Sequence, residues 1–108
     1  MRKWTVRDRQ GHEIYLTEEQ WGHITDRHPE LRGRLDDALL TLRQGHRQQQ
    51  PHDPQAYVYR RPCDALRPPF NGILVLVAFR FEWRGGETLQ PNNFVVTAWG
   101  IVMRRERQ

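Results

Sequence analysis

Gly72–Trp83 reads GILVLVAFRFEW, and its apolar run from Ile73 to Phe79 carries no polar alternation. A strand with one wet face alternates apolar and polar residues, whereas a strand covered on both faces reads as a continuous β-branched and aromatic run. The stretch therefore predicts the central strand of a sheet. It is far too short to span a bilayer, which takes about 20 apolar residues in a helix.

Working outward from this strand, Gly85-Gly86 supplies a turn, and Phe94–Met103, FVVTAWGIVM, returns as a second long strand. Gly100 within it marks a bulge or a close backbone approach. On the other side, Pro62, Pro68 and Pro69 interrupt Arg61–Asn71, which reads as a loop holding Cys63. Tyr57–Arg60 forms a strand with both tyrosines on one face and Val58 and Arg60 on the other. Gln48–Pro54, QQQPHDP, has no apolar periodicity and reads as a loop.

The region before that loop is helical. Thr17 is placed to cap a helix with its hydroxyl, and Gln20, three positions on, to reach back to the N–H of the cap. Leu16 and Trp21 form the matching hydrophobic staple, and Glu18 and Glu19 put negative charge on the positive end of the helix dipole. At roughly 100° per residue, Trp21, Ile24 and His28 share a buried stripe, while His23 and Arg27 lie together on the adjacent flank. Pro29 disfavours helical geometry at His28 and suits the first position of a second helix. That helix runs from Pro29 or Arg34 to Gln44, with Leu35, Ala38, Leu39 and Leu42 at helical spacing and Gly45 as a left-handed cap. Trp4–Arg7 and Glu13–Leu16 flank Arg9-Gln10-Gly11 and read as a hairpin. The expected architecture is a single α+β domain, residues 1–108, with an N-terminal hairpin and two helices packed on one face of an antiparallel sheet.

Lys plus Arg number 17 against 13 Asp plus Glu, a formal net charge of +4, and Lys3 is the sole lysine. The mean hydropathy is −0.87. A surface written in arginine presents planar donor forks that match phosphate oxygens and stack on bases, so a polyanion is a reasonable partner. The same excess also arises as plain solvated surface. With Cys63 as the only cysteine, an intrachain disulfide and a cysteine zinc site are excluded. The opening MRKWTVRDRQ has no apolar segment of the secretory type, so the chain is expected in the cytoplasm, without a membrane partner. Arg104, Arg105 and Arg107 form a basic tail of the kind that is most often solvated.

The residues best suited to chemistry lie in the first helix. Imidazole shuttles protons near neutral pH, so His23 or His28 can serve as acid or base, while Arg27 can neutralise a phosphate. The alternative is that His28 is a core-edge histidine satisfied by backbone groups and His23 a surface residue. Cleaving RNA without a metal needs such groups: a base for the ribose 2′-hydroxyl, an acid for the leaving oxygen, and cations around the phosphorane. Metal binding is a weaker reading, because paired helix ligands sit three or four residues apart, whereas His23 and His28 are five apart. His46, His52 and Asp53 have nothing that fixes them near either. No cofactor is implied. Tyr59 with Arg60 and Arg61 is either an aromatic platform with guanidinium groups, as in single-stranded RNA recognition, or a strand with core tyrosines and an edge arginine. Thr97, in mid-strand among apolar residues, either binds a phosphate oxygen or is an ordinary strand threonine.

Taken together, WGHITDRHPEL at Trp21–Leu31, the apolar helix Leu35–Leu42, YVYRR, ILVLVAF and the late VVTAW resemble small proteins of the phage-associated barnase, EndoU, colicin and RelE-like nuclease superfamily. The resemblance spans Leu16 to Met103. It implies a two-helix, antiparallel-sheet fold and a metal-independent ribonuclease, a hydrolase that leaves a 2′,3′-cyclic phosphate. It also implies toxin-like use, with a cognate antitoxin or immunity protein as a partner. By motif position His23, Arg27 and His28 are the helix contribution, Arg60 or Arg61 the phosphate-binding strand contribution, and Thr97 the polar residue of the last strand. The alternative is a non-catalytic RNA-binding or protein-interaction module on the same fold.

Overall fold

A computed structural model describes residues 2–104 of the protein; Arg105 and Arg107 of the basic tail lie outside the described residues. Gly72–Trp83 lies inside strand β5, and the chain folds around it as a six-stranded mixed sheet with two α-helices. The elements in order are β1 (Lys3–Arg7), β2 (Glu13–Thr17), α1 (Glu18–Arg27), α2 (Leu35–Gln44), β3 (His46–Gln50), β4 (Asp53–Pro62), β5 (Gly72–Arg84) and β6 (Thr88–Ile101). A single 3-10 turn, Pro29–Leu31, separates the helices.

The strand order is β1-β2-β6-β5-β4-β3, so β5 is flanked by β4 and β6 and is covered on both edges. Its residues Ile73, Val75 and Val77 are at most 1% exposed. They meet Ile14 and Leu16 of β2, Ile24 of α1, Leu39 and Leu42 of α2, and Tyr59 of β4 in one core cluster. Burying an aliphatic side chain of this size is worth about 1.5–3 kcal/mol, which makes this face of the sheet the one that holds the molecule together. On the opposite face Leu74, Leu76, Arg60, Thr97 and Trp99 remain half-buried.

Several local expectations are corrected. The sheet is not wholly antiparallel: β2 runs parallel to β6, meeting it at Tyr15 opposite Phe94. Parallel neighbours need a long crossover, and everything from α1 to β5 supplies it. Most of Gln48–Pro54, assigned to a loop, is strand: Gln48–Gln50 end β3, whose His46–Gln49 pair with Tyr57–Arg60, and Asp53 and Pro54 begin β4. An outer strand can form from backbone hydrogen bonds alone, so its side chains show no apolar pattern. Gly45 is not a left-handed cap, with φ −68° and ψ 160°. It is required for space, since a Cβ there would stand 2.3 Å from the carbonyl oxygen of Thr41. Half of the anticipated capping box forms: the Thr17 hydroxyl accepts from the Gln20 N–H at 3.1 Å, but the Gln20 side chain is used elsewhere.

The turn between β1 and β2 is anchored by a residue that sequence reasoning passed over. Asp8 has a side chain 1% exposed. Its Oδ1 accepts from the backbone N–H groups of Gln10 at 3.0 Å and His12 at 2.8 Å, and its Oδ2 accepts from the Tyr59 hydroxyl at 2.6 Å. The Arg47 guanidinium stands 3.6 Å from the same oxygen and lies over the Tyr57 ring at 4.5 Å. Burial pushes the Asp8 carboxyl up, but these hydrogen bonds and the nearby His12 imidazole outweigh it and hold it below the ordinary carboxylate range. Burial and the Asp8 charge together push the Tyr59 phenol above its ordinary value, so it stays a neutral donor.

Beyond the reach of β2 and β4, β5 and β6 continue as a two-stranded arm that closes at Gly85 and Gly86, both with positive φ. There Phe81 faces Pro91 and Trp83 faces Leu89, and Phe81, Trp83 and Leu89 are each at least half exposed.

Because the Asp8 carboxyl is held below its unfolded value, its ionised form stabilises the fold fully above the unfolded carboxylate pKa of about 3.9. That stabilisation is lost as pH falls through the lower folded value. Asp8→Asn should therefore cost about 2–4 kcal/mol at neutral pH, read from urea unfolding. The gap between the two proteins should narrow only in acid below the ordinary carboxylate range.

Candidate functional site

Sheet geometry creates the cleft. After Thr17 the chain leaves the sheet, so among the described residues the outer edge of β6 beyond Phe94 has no strand beside it. An exposed edge presents unpaired N–H and C=O groups, which must find partners. Here α1 and the turn after it supply them with side chains. The Gln20 amide donates to the carbonyl of Val96, and the Glu30 carboxylate accepts from the Gly100 N–H at 2.8 Å. Val96 is the extra residue where the register of β5 and β6 shifts, so its carbonyl is offered at a bend in the strand. Gly100 is needed for the close approach, because a Cβ would meet the Glu30 side chain at 2.8 Å and the Phe70 ring at 3.0 Å.

With α1 tethered beside the strand, a cleft of about 770 Å³ opens between them, lined by Gln20, His23, Ile24, Arg27, His28, Val96, Thr97 and Trp99. Four residues proposed from sequence thus share one cavity: His23, Arg27, His28 and Thr97. His23 is well exposed, with Nε2 3.8 Å from a Glu19 carboxylate oxygen. Arg27 is exposed, and among the described residues no carboxylate pairs with it. Thr97 sits half-buried on the open face, opposite Leu76.

His28 is not part of a buried stripe. Pro29 takes it out of helical geometry, to φ −127° and ψ 75°, while its N–H still closes the helix on the Ile24 carbonyl at 2.8 Å. This turns the imidazole toward β6, where it lies against Trp99 with ring centroids 6.1 Å apart. Its Nδ1 stands 3.8 Å from the Glu30 carboxylate, and its side chain is 33% exposed. A ring oriented by a carboxylate on one side and an indole on the other is held for contact with the cleft.

Arg60 lies on the same open face but does not line the cleft. The register places His46, Arg60, Leu74 and Trp99 in one row across four strands. At 4.7–4.9 Å per strand, Arg60 is about 10 Å from Trp99. Its guanidinium donates to the Gln48 side chain at 2.9 Å, also on this face.

Tyr59 and Arg61 are corrected. Both point to the helix side of β4, where Tyr59 is 1% exposed and bonded to Asp8. Arg61 reaches the Asp37 side chain of α2 at 3.3 Å. The alternation correctly put both tyrosines together, but it could not say which face the core would take. Trp99 was missed as a site residue although it was legible: it stands two positions from Thr97 and must share its face. Gln20 and Glu30 gave no such sign, since their partners are backbone groups on β6.

His46, His52 and Asp53 do not join His23 and His28, and among the described residues no group of three or more His, Cys, Asp or Glu side chains could hold a metal ion. Among the described residues, no helix is long and apolar enough to cross a membrane. No family model matches the chain, no curated protein matches it in sequence, and no solved structure matches its fold.

The two glycines near this wall should respond oppositely to alanine. Gly22 lies in mid-helix with nothing within 4 Å of an added Cβ, so Gly22→Ala should stabilise by about 0.5–1 kcal/mol. Gly100→Ala should destabilise by about 1–3 kcal/mol, because it meets both Glu30 and Phe70. Thermal or urea melts of the pair check the difference.

Proposed function

We propose that the chain is a metal-independent endoribonuclease of the phage-associated barnase, EndoU, colicin and RelE-like type. It cleaves RNA by 2′-hydroxyl attack, leaving a 2′,3′-cyclic phosphate and a free 5′-hydroxyl. The observation that carries the reading is that two imidazoles, a guanidinium with no carboxylate partner among the described residues, and a threonine hydroxyl line a single cleft.

In this mechanism His28, oriented by Glu30 and Trp99, takes the proton from the ribose 2′-hydroxyl as its oxygen attacks phosphorus. His23, across α1 at the cleft mouth, gives a proton to the departing 5′-oxygen as that P–O bond breaks. Arg27 neutralises the charge that builds on the pentacoordinate phosphorus. The Thr97 hydroxyl orients a non-bridging oxygen. Arg60, about 10 Å along the open face, meets a neighbouring phosphate of the same strand. A toxin role, with a cognate antitoxin or immunity protein, follows from the same resemblance.

A second reading keeps the fold and drops the chemistry: a non-catalytic RNA-binding or protein-interaction module. The exposed Phe81, Trp83 and Leu89 of the arm favour it, since large apolar groups left in water on a small domain mark interaction surfaces.

The purified protein should cut single-stranded RNA in EDTA and yield cyclic phosphate termini, with a bell-shaped dependence of rate on pH from one acid and one base. Arg27→Ala should lower kcat by about 10²–10³, and His28→Ala by about 10²–10⁴, with unfolding curves unchanged. RNA left intact by a folded protein at high concentration would refute the enzymatic reading and leave the binding module.

A further inference from the structure

A second cavity lies on the far side of Glu30. It occupies about 760 Å³ between the Pro29–Leu31 turn and the 65–70 loop, and Arg32, Arg34 and Arg67 line it together with Glu30 and Phe70. We propose that this cavity is a phosphate subsite for the RNA strand cut in the neighbouring cleft, an assignment that rests on the ribonuclease reading.

Charge is the first argument. Among the described residues, the guanidinium groups of Arg32 and Arg67 have no carboxylate partner. Arg34 is 3.5 Å from Asp37, whose charge is shared with Arg61 at 3.3 Å. Glu30 is the acidic residue in the lining, and its carboxylate is already engaged by the Gly100 N–H and turned toward His28. The cavity is thus a cationic hollow with donor forks to spare, and planar forks match phosphodiester oxygens.

Position is the second. Glu30 lines this cavity, while its carboxylate faces His28, which lines the cleft, at 3.8 Å. The two cavities adjoin at the His28–Glu30 contact, so a strand passing His28 and Trp99 meets the arginines next. The floor is also held in place: Phe70 packs against Gly100, and its N–H bonds to the Arg67 carbonyl at 3.2 Å. The substrate class that fits both cavities is a single strand of several nucleotides; a dinucleotide is too short to fill them together.

The test compares the wild type with an Arg32→Ala/Arg67→Ala double variant, first confirming equal thermal midpoints. Binding is measured with a 2′-deoxy oligonucleotide analogue that cannot be cut, across a salt series. The slope of log K against log salt should fall by about 0.7 for each arginine removed. In cleavage assays the KM for an oligoribonucleotide should rise while kcat/KM for a dinucleoside monophosphate stays unchanged. An unchanged salt slope, or equal losses on both substrates, would overturn the subsite. Inorganic phosphate binding as tightly as the oligonucleotide, with the same loss in the variant, would make this a free-phosphate site and also overturn it. A salt slope reduced in the double variant, together with a wild type that cuts neither substrate, would keep the subsite and remove the ribonuclease reading instead.

Discussion

The Asp8 carboxylate, sealed from solvent, is the constraint on which the rest of the fold depends. It organises the β1–β2 turn through two backbone N–H groups and joins that turn to β4 through the Tyr59 hydroxyl and to β3 through Arg47. These strands are the two ends of the sheet order, so one anionic group ties the first hairpin to the last-but-one edge across the helix side. A buried charge is tolerated only when its hydrogen-bonding capacity is filled. Here backbone, phenol and guanidinium fill it, and the cluster consumes Tyr59 and Arg47, which a surface reading would leave free for a ligand.

The cleft follows from a different constraint on the same sheet. Leaving the upper edge of β6 without a strand neighbour would leave backbone groups unpaired, and Gln20 and Glu30 answer them from α1 and the turn after it. These bonds set the distance between helix and strand, and that distance is the width of the cleft. Glu30 does more than close an edge, because it lines the second cavity while its carboxylate faces His28 of the cleft. The core side of the sheet is therefore spent on stability, and the open side keeps Thr97, Trp99 and Arg60 half-buried and within reach of a ligand.

Legibility followed the strength of the physical signal. The continuous apolar run of Ile73–Phe79 announced a central strand covered on both faces; β5 holds the central place, but only one of its faces is fully covered, since Leu74 and Leu76 stay half-buried on the other. Pro29 announced the break after α1, and the helix ends at Arg27 with His28 as its cap. The pairing of His23 with Arg27 was visible from spacing, whereas the same spacing set His28 apart on a buried stripe, because its true orientation depends on non-helical backbone angles. Strand β3 was invisible, since His46–Gln50 is held by backbone pairing that leaves no mark on side-chain pattern. Tyr59 and Arg61 stood open between ligand contact and core packing for one reason: a period of two sorts residues into two faces without naming the buried one.

By itself, the sequence determined the α+β class, the central strand, the helix start at Thr17 and the residue types capable of acid, base and phosphate chemistry. These are local properties, written in periodicity, caps and side-chain pKa values within a few positions of each residue. Tertiary structure alone decided the parallel meeting of β2 with β6, the face of β4 that became core, and the pairing of α1 with the open edge of β6. Each depends on groups distant in the chain, and both the β2–β6 pairing and the α1–β6 contact use backbone atoms that every residue carries, so no local side-chain pattern could have announced them.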